Sequence, residues 1–140
     1  MSFVFGFDLP ENPTATAQQK GVDTRGYKPR FYTKSSVLNV QRMYKLGVLQ
    51  EFRSAGVPIP FFDGPVGVSV KFIFSVKNRR LWGRYKETKP DGDNLVKVLL
   101  DVLTQLHFWR DDAVVAVLRV EKRYGETSRV EIELKELKND

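Results

Sequence analysis

The chain has 140 residues, 41% of them hydrophobic, and a formal net charge of +6, with an isoelectric point near 9.6. That is the length of one domain with a real core, so residues 1–140 are expected to fold as a single unit. With no cysteine and a single histidine, His107, disulfides, thiol catalysis and the usual His- or Cys-bound zinc centres are excluded.

The start, MSFVFGFDLPEN, has neither a basic leader nor a long apolar run, and no stretch approaches the roughly 18 apolar residues of a membrane span. The expectation is a soluble cytoplasmic domain with no membrane partner. Phe3 to Leu9, FVFGFDL, reads as a strand ended by Pro10 and Pro13. Thr14 to Gln18 is a possible second strand, followed by a polar loop from Lys20 to Lys28. The period then changes. Val37, Val40, Tyr44, Val48 and Phe52 recur at helical spacing, with Ser35 or Ser36 as N-cap and Gly56 as the stop. Gly47 sits inside that helix despite the roughly 1 kcal/mol helix penalty of glycine.

From Val66 to Val76 the apolar residues take every second position, as a strand with one buried face does. Lys77 to Lys89 reads as a basic loop. Asn94 to His107 is a second helix, with Leu95, Leu99, Val102, Leu103 and Leu106 on one stripe. His107 near its end is assigned a capping or packing role. Ala113 to Tyr124 and Arg129 to Leu134 read as strands joined around Gly125 in an antiparallel hairpin. The fold class is α+β, a mixed sheet with two principal helices packed on one face.

Charge is distributed unevenly. Between Lys20 and Lys45 seven Lys/Arg face Asp23 alone, and between Lys71 and Lys89 seven face Glu87 alone. Tyr27, Phe31, Tyr32, Trp82 and Tyr85 are interleaved with them, a pattern that suits a polyanion such as DNA. Lys28, Arg30, Lys34, Arg79, Arg80, Arg84, Lys86 and Lys89 are the candidate DNA contacts.

Within this basic chain the acids gather at two element boundaries, Asp91 and Asp93 in KPDGDN and Asp111 and Asp112 in WRDDAVV. Turn and N-cap preferences alone could place them there. A calcium loop of the EF-hand type also opens D-x-D-N, but its sixth and twelfth positions here are Val96 and Val102, not Gly and Glu, so that reading fails. If the two pairs converge, their mutual repulsion calls for a hard cation, and Mg²⁺ suits carboxylate oxygens combined with water and phosphate. Lys97, four residues after Asp93, lies one turn along the same helix face, where an ammonium can meet a phosphate. Such a set is what phosphodiester hydrolysis requires.

The stretch KPDGDNLVKVLLDVLTQLHFWRDDAVVAVLRVEK, Lys89 to Lys122, resembles the RusA family of Holliday-junction resolvases, common in phages and prophages. The shared pattern is [R/K]-P-D-x-D-N-L-x-K, an apolar helix with D-x-L, then W-x-D-D-A-x-V, with weaker similarity through YKPRFYT and VEIEL. The resemblance implies an Mg²⁺-dependent endonuclease that acts as a homodimer on four-way DNA, cutting two opposed strands. Matched position by position, Asp91, Asp93 and Asp112 would bind the metal and Lys97 would assist catalysis. Asp101 and Asp111 fall on recurrent family positions of less defined role, with a structural part expected for Asp101. The first forty residues and the Arg79–Lys86 loop match poorly, which leaves substrate preference less constrained than chemistry. The contrasting reading is a non-catalytic DNA-binding accessory protein in which the acids are caps or a structural ion site.

Overall fold

The computed structural model describes residues 1–14, 20–23, 30–33 and 35–139. Its elements in chain order are β1 (Ser2–Asp8), β2 (Lys20–Asp23), β3 (Arg30–Thr33), α1 (Ser35–Ala55), β4 (Val66–Ser75), α2 (Gly92–Gln105), β5 (Val115–Gly125) and β6 (Arg129–Glu136). Short 3-10 turns cover Arg79–Leu81 and Asp112–Val114. β1, β6, β4 and β5 form one four-stranded sheet in that spatial order, while β2 and β3 pair separately as an antiparallel ribbon.

β4 is central and has one buried face. Val66, Val68, Val70, Phe72 and Phe74 are all buried, matched by Val130, Ile132 and Leu134 of β6. The opposite face carries Ser69, Lys71, Glu131 and Glu133 and stays open to water. Both helices therefore pack on the apolar face, α1 through Val37, Val40, Tyr44, Val48 and Phe52 and α2 through Leu95, Leu99, Val102 and Leu103. This is the α+β arrangement that the sequence predicts. α2 buries more than its single stripe, since Val96, Val98 and Leu100 are buried as well.

Gly47 has a packing reason. A Cβ there would overlap the ring of Phe7, so glycine lets β1 press an aromatic ring directly on the backbone of α1. Tyr44 is fully buried, and its hydroxyl has no hydrogen-bond partner among the described residues. Burial pushes its ionisation well above the ordinary tyrosine range, because the phenolate would lose its hydration.

The two helices end alike. After α1, Gly56 adopts φ +67, with Gly56 N–H bonded to Arg53 C=O and Val57 N–H to Phe52 C=O. After α2, His107 adopts φ 65, with His107 N–H bonded to Thr104 C=O and Phe108 N–H to Leu103 C=O. Both are left-handed C-terminal caps of the Schellman type. His107 thus caps through its backbone, and its side chain is exposed. Because a side chain in this region carries a cost that glycine escapes, His107→Gly should stabilise the protein by about 1 kcal/mol. A thermal melt that shows no rise in Tm contradicts this account of the cap.

Three sequence expectations are corrected. β5 and β6 do not form a hairpin; β4 lies between them, parallel to β5 and antiparallel to β6. The chain can do this because β4 stops at Ser75, so Glu126–Ser128 pass beyond its end, with Val76 N–H bonded to Gly125 C=O. Lys20–Asp23 is a strand, not loop, because it finds Arg30–Thr33 as its antiparallel partner. α2 begins at Gly92 and ends at Gln105, two residues earlier at each end than its apolar pattern indicates. Of the proposed strand over Thr14 to Gln18, residues 15–18 lie outside the described residues.

Candidate active site

The connection from β4 through α2 to β5 sets α2 above the β5 side of the sheet. At its start Asp91 has extended backbone, φ −71 and ψ 139, and occupies the N-cap position, yet its side chain makes no capping hydrogen bond. The carboxylate is exposed, so helix capping does not account for it. Asp93 falls in the first turn of α2, where an acid is favoured by the helix dipole. Lys97 follows one turn later, exposed on the same face.

Asp93, Lys97 and Asp112 line one open cleft of about 620 Å³ between α2 and β5. Val96, Leu100, Leu118 and Val120 form its apolar floor, with Tyr85, Lys86 and Lys122 at its side. The 3-10 turn Asp112–Val114 carries Asp112 into place. Asp111 caps that turn, its Oδ1 accepting from Ala113 N–H at 2.9 Å. The two adjacent aspartates are thereby divided, Asp111 holding the turn and Asp112 facing the cleft. Asp101 does not join Asp93 and Lys97; it lines a neighbouring cleft with Gln41, Arg110 and Asp111, and Asp112 borders both. Asp91 is not among the residues lining either cleft.

Among the described residues no three His, Cys, Asp or Glu side chains are grouped closely enough to hold a cation by themselves. Mg²⁺ commonly takes only one or two protein carboxylates and fills its octahedron with water and phosphate. Asp93 and Asp112 in one cleft, both hard oxygen donors, match that requirement. Glu121 also borders the cleft, but Arg119 at 2.6 Å and Arg123 at 3.2 Å hold its carboxyl below the usual range and engage its oxygens.

The basic segment after β4 is ordered against the scaffold. Gly83 N–H and Lys86 N–H donate to Tyr124 C=O and Lys122 C=O, and Tyr124 N–H donates to Arg84 C=O, so the segment runs along the outer edge of β5. The indole of Trp82 donates to Val76 C=O at 2.8 Å. The guanidinium of Arg123 lies 3.7 Å over the ring of Tyr85 and bonds Gly83 C=O at 2.7 Å. Of the candidate DNA contacts, Arg79, Arg80, Arg84 and Lys89 are exposed. Lys86 is half-buried, 5.1 Å from the ring of Phe74 and bonded to Thr88 Oγ1 at 2.6 Å. Arg30 lies on β3, and Lys28 and Lys34 lie outside the described residues.

Sequence reading passed over Lys122. Its signal was visible in strand parity, for it shares with Leu118, Val120 and Tyr124 the side of β5 that faces the helices. A lysine at such a position has a reason to be there.

The chain is 33% identical over 139 residues to the crossover junction endodeoxyribonuclease rusA of Lactococcus phage r1t, covering 98% of this chain and all of that protein. It is also 36% identical over 91 residues to the uncharacterized protein YqaN of Bacillus subtilis (strain 168), covering 57% of this chain and 63% of that one. The family model for endodeoxyribonuclease RusA matches residues 10–135, and the chain belongs to that family.

Proposed function

We propose that this protein is an Mg²⁺-dependent, structure-selective endodeoxyribonuclease that resolves four-way DNA junctions as a homodimer, working on DNA in the cytoplasm. The observation that carries the reading is the placement of Asp93, Lys97 and Asp112 around one cleft in a chain of the RusA family. No helix among the described residues is long and apolar enough to cross a membrane. A twofold dimer supplies the second cleft that paired incisions require.

Asp93 and Asp112 would hold the metal ion, with Asp91 beside them at the head of α2. Bound there, Mg²⁺ supplies Lewis-acid polarisation of the phosphate and a water of lowered pKa. Lys97 donates to a non-bridging phosphate oxygen and offsets the charge that grows as the 3′-oxygen leaves. Val96, Leu100 and Val120 line the same cleft and give it an apolar wall beside those charges. Arg79, Arg80, Arg84 and Lys89 grip phosphate backbones without reading sequence.

A labelled four-way junction incubated with the protein and Mg²⁺ tests this directly. Paired symmetric nicks are expected, and tight binding with no nicks would instead identify the DNA-binding accessory protein. Replacing Arg79, Arg80 and Arg84 together with alanine should weaken junction binding and flatten the dependence of log affinity on log salt, by close to one unit of slope per lost phosphate contact. A slope identical to wild type would place this segment away from DNA.

A further inference from the structure

The geometry points to Lys122 as a positioning residue that sets the metal-binding carboxylates through the main chain, an inference that rests on the endonuclease reading above. Lys122 Nζ donates to Thr88 C=O at 2.7 Å and to Pro90 C=O at 2.8 Å. These carbonyls stand on either side of Lys89, and Pro90 leads directly into Asp91 and the first turn of α2. Among the described residues no other side chain bonds the main chain of Thr88 or Pro90.

The same residue is engaged from the backbone, since Lys122 C=O accepts from Lys86 N–H at 2.9 Å. Its aliphatic stem passes under the helix start, with Cδ 4.0 Å from where a Gly92 Cβ would stand. Segment 86–90 is thus fastened to one residue of β5 at both ends. An ammonium has three donors and no acceptor, and two of the three are used on these carbonyls. A lysine serving DNA alone would leave its ammonium in water, where it retains full hydration and rotamer freedom. Here the charge is spent on placing the peptide that precedes the acids.

Asp91 and Asp93 are exposed and lack side-chain bonds to the described residues, so the backbone beneath them decides where their oxygens lie. Downstream the helix fixes that backbone, with Leu95 N–H bonded to Asp91 C=O. Upstream the side chain of Lys122 fixes it. Groups that orient metal ligands typically govern metal affinity by about 10- to 100-fold.

Lys122→Met keeps the stem and removes every donor. Amide hydrogen exchange of residues 86–93 should rise about 10-fold while α1 and β4 exchange as in wild type. The Mn²⁺ concentration giving half-maximal single-turnover cleavage of a four-way junction should rise by about 10-fold or more, and saturating Mn²⁺ should recover most of the rate. Lys122→Arg, which can still reach both carbonyls, should restore much of the metal response. An unchanged half-saturating Mn²⁺ concentration, or a rate defect that saturating Mn²⁺ leaves in place, overturns the inference and makes Lys122 a scaffold or phosphate contact. If wild type cuts at no Mn²⁺ concentration, the endonuclease reading itself falls and takes this inference with it.

Discussion

Asp93→Asn should lower single-turnover cleavage of a four-way junction by on the order of 10³-fold while junction binding without metal holds level or improves. The two effects separate because the substitution removes one negative charge and leaves the basic surface of Arg79, Arg80, Arg84 and Lys89 untouched. A neutral amide is a poor donor to a hard divalent cation. It also repels phosphate less than a carboxylate does, which accounts for the expected gain in binding. Asp93 is exposed at the first turn of α2, so its loss costs the fold little beyond a helix-dipole contribution of about 0.3–1 kcal/mol. A variant that binds and cuts at near wild-type rate would remove Asp93 from the active site.

Lys97→Ala should reduce the same single-turnover rate by about 10²-fold or more, the scale lost with one charge stabiliser of the transition state. Folding, dimerisation and metal-independent junction binding should persist, because Lys97 is an exposed helix residue with no ion pair among the described residues. Surface lysines of that kind ordinarily tolerate alanine within about 0.5 kcal/mol. A large rate effect with no stability effect is therefore the signature of a catalytic ammonium. Lys97→Arg should rescue poorly, since a planar guanidinium presents its charge over a wider area than a compact ammonium. Cleavage by Lys97→Ala within a few-fold of wild type, measured under single turnover, would leave chemistry to the carboxylates and metal.

What could be read beforehand follows from how local each feature is. The helices and β4 are periodic patterns, and Val66 to Phe74 announce a one-faced strand without reference to anything distant. The spacing of Asp93 and Lys97 is equally local and puts both on one helix face. The order of strands is not local. Short connections favour hairpins, and no residue of Glu126–Ser128 reveals that β4 already occupies the gap between β5 and β6. The start of α2 was misplaced because Asp-Gly is a turn signal, although here Gly92 opens the helix, close against Val120 of β5. Asp111 and Asp112 look interchangeable in sequence. They are separated by a backbone detail, the extended φ −149 and ψ 141 of Asp111 that turns its carboxylate back onto Ala113 N–H.

β6 is the strand that joins β1 to β4, bonded to one on each side. Until residues 129–136 have left the ribosome, β1 has nowhere to dock and β4 lacks one of its two partners. Pairings this distant in sequence form slowly and close to all at once. A growing chain already holding Asp91, Asp93, Lys97 and Asp112 is therefore still without the sheet that aligns them. The cleft between α2 and β5 thus rests on a sheet whose four strands are joined only once β6 has paired along both of its edges.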